Sequence, residues 1–121
     1  MMNETVVMIG AGRVATHLAQ ALRERAGLRL VQVYSRTAEH ARALAEGSGD
    51  ATWTTSAEAV RTDADLYVFS LSDDALAGVA RRVPANDGLW LHTAGSVPMD
   101  VFRDRSRRYG VLYPLQTFSR E

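Results

Sequence analysis

Apolar residues in this chain fall into short β-branched runs, and between the runs the repeat becomes helical. The first run, Thr5–Ile9, is apolar at successive positions, as a strand buried on both faces would be. Residues 13–26 then place Val14, Leu18 and Leu22 on one helical face, with Ala15, Ala19 and Ala21 beside them. Gly27 supplies the stop. A second strand is predicted at 30–34. Thr37 is placed to cap a second helix, with inner face Ala41, Leu44 and Ala45, that ends at Gly47-Ser48-Gly49. Ala51-Thr52-Trp53 predict a short third strand, and 56–61 a brief helix capped by Ser56. Residues 66–71 predict a buried strand, 73–83 a helix stopped by Pro84, and Leu89–His92 another strand. A helical turn at 99–103 and a last strand at 110–113 complete the pattern.

Strands alternating with helices predict an α/β fold, a parallel sheet with helices on both faces. Right-handed crossovers leave few topologies, and six strands in the doubly wound order 3-2-1-4-5-6 fit the length, giving a three-layer αβα architecture. No internal linker, repeat or low-complexity segment divides the chain, so 1–121 reads as one domain.

Composition narrows the chemistry. The chain balances 14 acids against 14 bases, so it carries no basic field for nucleic acid. It has no cysteine, which excludes thiolate catalysis and zinc–thiolate sites. Every base is arginine, so neither a Schiff base nor a Walker-type lysine is available within it. No metal site is expected. No run approaches the ~20 apolar residues of a membrane span, and 6–9 is too short for a secretory core, so the expected location is the cytoplasm.

The first strand meets the first helix at Gly10-Ala11-Gly12-Arg13-Val14-Ala15, which has the form G-x-G-x-x-A. Gly10 permits a tight turn. Gly12 lets a pyrophosphate approach the backbone, and Ala15 lets the helix pack close on the sheet. The amides of Gly12, Arg13 and Val14 would then face phosphate at the positive end of the helix dipole. A bare glycine triplet is weak, but strand, turn, helix and second strand in sequence are the setting of a dinucleotide site. A tight βα turn without ligand is the competing reading. S-adenosylmethionine binding would want an acid after the second strand, and none is present there.

That second strand runs into Ser35-Arg36-Thr37. A site for NAD usually places a carboxylate here to hold the ribose 2′-hydroxyl. A carboxylate would repel a 2′-phosphate, whereas Arg36 would attract one, and Ser35 and Thr37 can add hydrogen bonds. A charge-assisted bond of ~1.5–3 kcal/mol predicts a roughly tenfold to hundredfold preference for NADP(H). A surface arginine at a helix start is the alternative.

Ligands in such sheets lie outside the carboxyl ends of the strands. Leu71-Ser72 after the fourth strand would border the ribose and phosphates. Asp73 or Asp74 reads as a helix cap rather than a ligand. After the fifth strand come His92-Thr93-Ala94-Gly95-Ser96, where a nicotinamide would arrive. Thr93 is a coenzyme candidate. His92, Ser96 and Gln116 are the candidates for chemistry, with no role fixed; a histidine within a strand is more often core. His17 and His40 lie within helices and read as structural or solvated. Arg103, Arg105, Arg107 and Arg108 read as a solvated face, with an interface as the alternative.

Taken in order, the motifs at residues 7–18, 33–37, 71–74, 92–98 and 113–119 resemble the N-terminal Rossmann-like domain of a bacterial family of NADP oxidoreductases. Members of that family carry a C-terminal domain of unknown function, number 2520. The resemblance covers nearly the whole chain, and the last two motifs and their order are its most specific part. It implies NADP(H) held by Gly10, Gly12, Arg13, Val14, Ser35, Arg36 and Thr37, with Leu71 and Ser72 lining the other half and 113–119 beneath the nicotinamide. With Ala11 and Thr93 these complete the expected coenzyme contacts. The family has no established substrate. Its members continue into a helical domain that would close the substrate cleft and form a homodimer. The chain is therefore expected to be the coenzyme half of a longer enzyme, inactive alone. The alternatives are a non-catalytic dinucleotide-sensing module and a scaffold with an empty site.

Overall fold

Six parallel strands form the sheet, in the order β3-β2-β1-β4-β5-β6. They are β1 (Thr5–Ile9), β2 (Arg29–Tyr34), β3 (Thr52–Thr54), β4 (Leu66–Phe69), β5 (Leu89–His92) and β6 (Arg108–Val111). Among the described residues the connections hold the helices α1 (Arg13–Arg25), α2 (Ala38–Glu46) and α3 (Asp73–Arg82), with a 3-10 turn at Ala57–Ala59. This is a computed structural model, and it describes residues 4–25, 27–49, 51–93, 102 and 108–111. The doubly wound topology is the one that the alternation of strand and helix predicts.

The core has two halves because β1 buries both of its faces. Val6 and Met8 pack with Ala15, Leu18 and Ala19 of α1 and with Ala41 and Ala45 of α2. Val7 and Ile9 face the other way, toward Leu76, Val79 and Ala80 of α3 and the rings of Tyr67, Phe69 and Trp90. Phe102 closes this second half, 4.8 Å from Phe69 and 5.3 Å from Trp90 between ring centroids. In β2, Leu30 and Val33 lie on the same side although they are three apart. A register shift opposite Val6 and Val7 skips Val31, and this bulge resets the alternation.

Several boundaries differ from the sequence pattern. β3 is displaced by one residue, β4 ends at Phe69, and β6 begins at Arg108. The brief helix is a single 3-10 turn. Val14 was expected on the inner face of α1 but is 46% exposed. The buried stripe is Ala15, Leu18 and Ala19, so Val14 is rotated off it into the rim described below. Thr37 and Ser56 occupy their cap positions without a side-chain cap bond. Ser72, not Asp73 or Asp74, is the cap residue of α3, and the two acids fall in its first turn. Gly27 does end α1: at φ +68° it lets the Leu28 amide reach back to the Leu22 carbonyl at 3.1 Å. The predicted turn at 99–103, Phe102 apart, and the strand residues 112 and 113 lie outside the described residues.

Candidate functional site

The carboxyl ends of five strands are stitched into one rim by backbone hydrogen bonds. The Gly10 amide donates to the Tyr34 carbonyl at 2.7 Å and joins β1 to β2. The Ser70 amide donates to Ile9 at 2.8 Å, Ser35 to Thr54 at 3.2 Å, and Thr93 to Phe69 at 3.2 Å. These bonds gather Gly10 to Val14, Ser35 to Thr37, Leu71, Ser72, His92 and Thr93 along a single edge of the sheet. Ser96 and Gln116 lie outside the described residues, as do Gly95, Arg103, Arg105, Arg107 and residues 113–119.

The two glycines of the junction have different surroundings. Gly10 has φ +115°, and a Cβ there would collide with the Ser70 carbonyl oxygen and press on Leu71 Cδ2 at 3.3 Å. It is a glycine because β4 lies against it. A Cβ on Gly12 would meet nothing within 4 Å. Among the described residues no packing requires glycine at position 12, and the space in front of it is open.

The helix starts around the rim also differ. α3 has Asp73 and Asp74 in its first turn and α2 has Glu39, so carboxylates already answer their positive ends. The first turn of α1 holds no acid and opens with Arg13. Its leading amides have no helical carbonyl to reach, and a cation there opposes the dipole unless an anion joins it. Thr16 returns both its amide and its hydroxyl to the Gly12 carbonyl, each at 2.9 Å, which fixes the turn.

At the end of β2, the Ser35 hydroxyl accepts the Thr37 amide at 3.2 Å and shapes the loop that carries Arg36, which is exposed. Ser72 caps α3 through its carbonyl, which accepts the Ala75 and Leu76 amides at 3.1 Å, and its side chain makes no cap bond. His92 is fully buried and meets Phe102 edge-on, with ring centroids 5.5 Å apart, in the wall beneath the rim. Among the described residues no group of acids and histidines could hold a metal ion, and no helix is long and apolar enough to cross a membrane.

His40, read from the sequence as structural or solvated, is exposed in the first turn of α2, where it lines a groove of about 440 Å³ between α1 and α2 together with Ala11 of the glycine junction.

An open, doubly wound sheet with a glycine turn at the start of its first helix defines the Rossmann-like class of nucleotide-binding domain. Residues 1–75 match the family model described as shikimate / quinate 5-dehydrogenase, and the chain belongs to that family. Among solved structures it is similar to the "putative NADP oxidoreductase BF3122" of Bacteroides fragilis. The two are 45% identical with a TM-score of 0.80, over 98% of this chain and 47% of that one. It shares its fold with a prephenate dehydrogenase of A. aeolicus, in complex with hydroxyphenyl propionate and NAD+ (17% identity, TM-score 0.68, 88% of this chain and 41% of that one). A biliverdin reductase of Synechocystis, in complex with biliverdin and NADP+, is also similar in fold (16% identity, TM-score 0.67, 88% and 37%). The chain thus spans about half the length of the Bacteroides protein and less of the other two. No curated protein matches it.

Proposed function

We infer that this chain is the NADP(H)-binding domain of an oxidoreductase of the family that carries domain of unknown function 2520. The reaction is hydride transfer between the nicotinamide and a small carbonyl, imine or hydroxy substrate. One observation carries the reading: an open Gly12 at an acid-free helix start, with Arg36 one strand over where a site for NAD would present a carboxylate. The name of the 45%-identical Bacteroides protein supports NADP as the coenzyme.

The residues divide the work by position. Gly12 lets the pyrophosphate reach the backbone, where the amides of Gly12, Arg13 and Val14 hold it and the Arg13 side chain adds charge. Gly10 and Ala11 make the turn that aims those amides. Arg36, with Ser35 and Thr37 beside it, takes the 2′-phosphate through a guanidinium that can make two parallel bonds. Leu71, Ser72 and Thr93 continue the floor toward the nicotinamide, and exposed Val14 overhangs it from the other side. The coenzyme supplies the hydride from nicotinamide C4, and the protein supplies position and electrostatics.

Hydride transfer also needs a water-excluding pocket over the nicotinamide. The greater length of the relatives supports a second domain as its source, and a homodimer formed through that domain. Residues 1–121 are then the coenzyme half, which binds in the cytoplasm without turning over substrate alone. The test is calorimetric titration with NADPH and NADH of the wild-type chain and of Arg36→Ala. The expected result is a roughly tenfold to hundredfold loss for NADPH and little change for NADH. Equal losses for both coenzymes, or no binding to the wild type, would overturn the reading.

A further inference from the structure

β3 is the last strand on its side of the sheet. It pairs with β2 on one flank and, among the described residues, with no strand on the other. The Thr54 carbonyl accepts the Ser35 amide at 3.2 Å and so points inward, to β2. The main-chain groups of successive strand residues point to opposite flanks, so Trp53 turns its N–H and C=O outward. Its side chain is 40% exposed. Trp53 is level with Val33, which packs with Ala41 and Ala45, so the indole stands on the α2 face of the sheet. Edge strands are commonly blunted by charge or proline. Residues 51–56 hold neither, and the threonines and tryptophan among them favour strand pairing.

We propose that β3 is a self-pairing edge: a second copy of this chain adds its own β3 antiparallel to it, about a twofold axis at Trp53. The residues around that axis, Thr52-Trp53-Thr54, read the same in both directions, so the contact is isologous. The outward N–H and C=O of Trp53 bond to the C=O and N–H of the other copy's Trp53, with Cα atoms about 5.5 Å apart. Thr52 comes opposite the other copy's Thr54, and the two indoles lie side by side on one face. A tryptophan at the centre of a contact is a strong anchor. The helices above supply the charge match. Ala41 and Ala45 turn α2 toward the sheet, and Ala43, Leu44 and Gly47 line its groove with α1. Arg42 and Glu46 are left on the side that looks past the edge. They are 59% and 71% exposed and lie 3.9 Å apart. The axis reverses α2, so Arg42 of each copy comes opposite Glu46 of the other. β3 is three residues long, so the main-chain bonds are few, and the indoles and ion pairs carry the rest. The rims of the two copies face opposite ways and both stay open. This contact is separate from the homodimer through a second domain, and it does not depend on the coenzyme.

The test is sedimentation of the whole chain at concentrations up to about 1 mM. It compares wild type, Trp53→Lys, Arg42→Glu, and the double variant Arg42→Glu with Glu46→Arg. Wild type should pass from monomer to dimer as concentration rises. Trp53→Lys should weaken the dimer at least about tenfold, and Arg42→Glu about threefold to tenfold. The double variant restores the opposite charges and should recover most of the loss. Trp53 and Trp90 are the two tryptophans of the chain, and Trp90 is buried. Acrylamide quenching of wild-type fluorescence therefore follows the Trp53 ring, and should fall as the dimer forms. Far-UV circular dichroism checks that Trp53→Lys is folded. Arg42 and Glu46 are exposed, so the charge swap reads the same contact without touching the core. A wild type that stays monomeric at about 1 mM would overturn the inference, as would a dimer that Trp53→Lys and Arg42→Glu leave intact.

Discussion

The two edges of the sheet treat their polar groups differently. At the amino edge, side chains bond back into the chain. The Tyr67 hydroxyl donates to the Arg61 carbonyl at 2.7 Å and accepts the Ala64 amide at 3.1 Å. One oxygen of Asn86 accepts both the Gly88 amide, at 2.8 Å, and the Trp90 indole, at 2.9 Å. Asp65 clasps Thr5 through its amide and hydroxyl. At the carboxyl edge, the cap residues Thr37 and Ser72 make no side-chain cap bond, Gly12 faces open space, and Val14 is exposed. The polar side chains of the amino edge are tied back into the chain, whereas the carboxyl edge leaves its cap side chains unbonded to their helices and Gly12 facing open space.

The largest expected effect separates the two glycines of the junction. Gly10→Ala forces a side chain against the Ser70 carbonyl at a left-handed φ, and should cost about 2–6 kcal/mol of stability. Gly12→Ala should leave stability within about 0.5 kcal/mol while NADPH affinity falls at least about tenfold. Urea unfolding and NADPH titration of both variants check the pair. A Gly12→Ala protein that binds normally would return position 12 to an ordinary turn.

The amino edge should show the opposite signature. Tyr67→Phe leaves a buried amide without its acceptor, and Asn86→Ala does the same to an indole and an amide. Each should cost about 1–3 kcal/mol with NADPH affinity unchanged. Coenzyme affinity falling in step with stability would blur the distinction between the edges.

The smallest effect concerns the exposed pair that ties the 3-10 turn to α3. The Arg82 guanidinium lies 3.0 Å from Glu58 and holds its carboxyl down at about 2, from 4.5. The folded value is below the unfolded one, so the pair's contribution is whole above about 4.5 and fades as pH falls toward 2. Glu58→Gln should flatten that acid-side fall slightly, as read by urea midpoints across the acid range at low salt. The effect is small because water screens both side chains.

Most of the fold was legible because strand runs and helical repeats are local signals. Order, layers and the glycine junction follow from Val6 to Ala15 and their echoes along the chain. What was hidden depends on contacts between distant residues. The bulge at Val31 is visible only against β1, and the exposure of Val14 only once Ala15, Leu18 and Ala19 have claimed the inner face. Likewise the tight turn at Gly10 is legible from the motif, but the Ser70 carbonyl that bars a side chain there is not. The groove beside His40 is likewise visible only once α1 packs next to α2.

Hydrogen exchange of the chain with and without NADPH tests the contrast between the edges most directly. The account predicts slowed exchange of amides at 12–14 and 35–38, with those at 61–65 and 85–88 unmoved. Protection confined to the amino edge, or found nowhere, would contradict it.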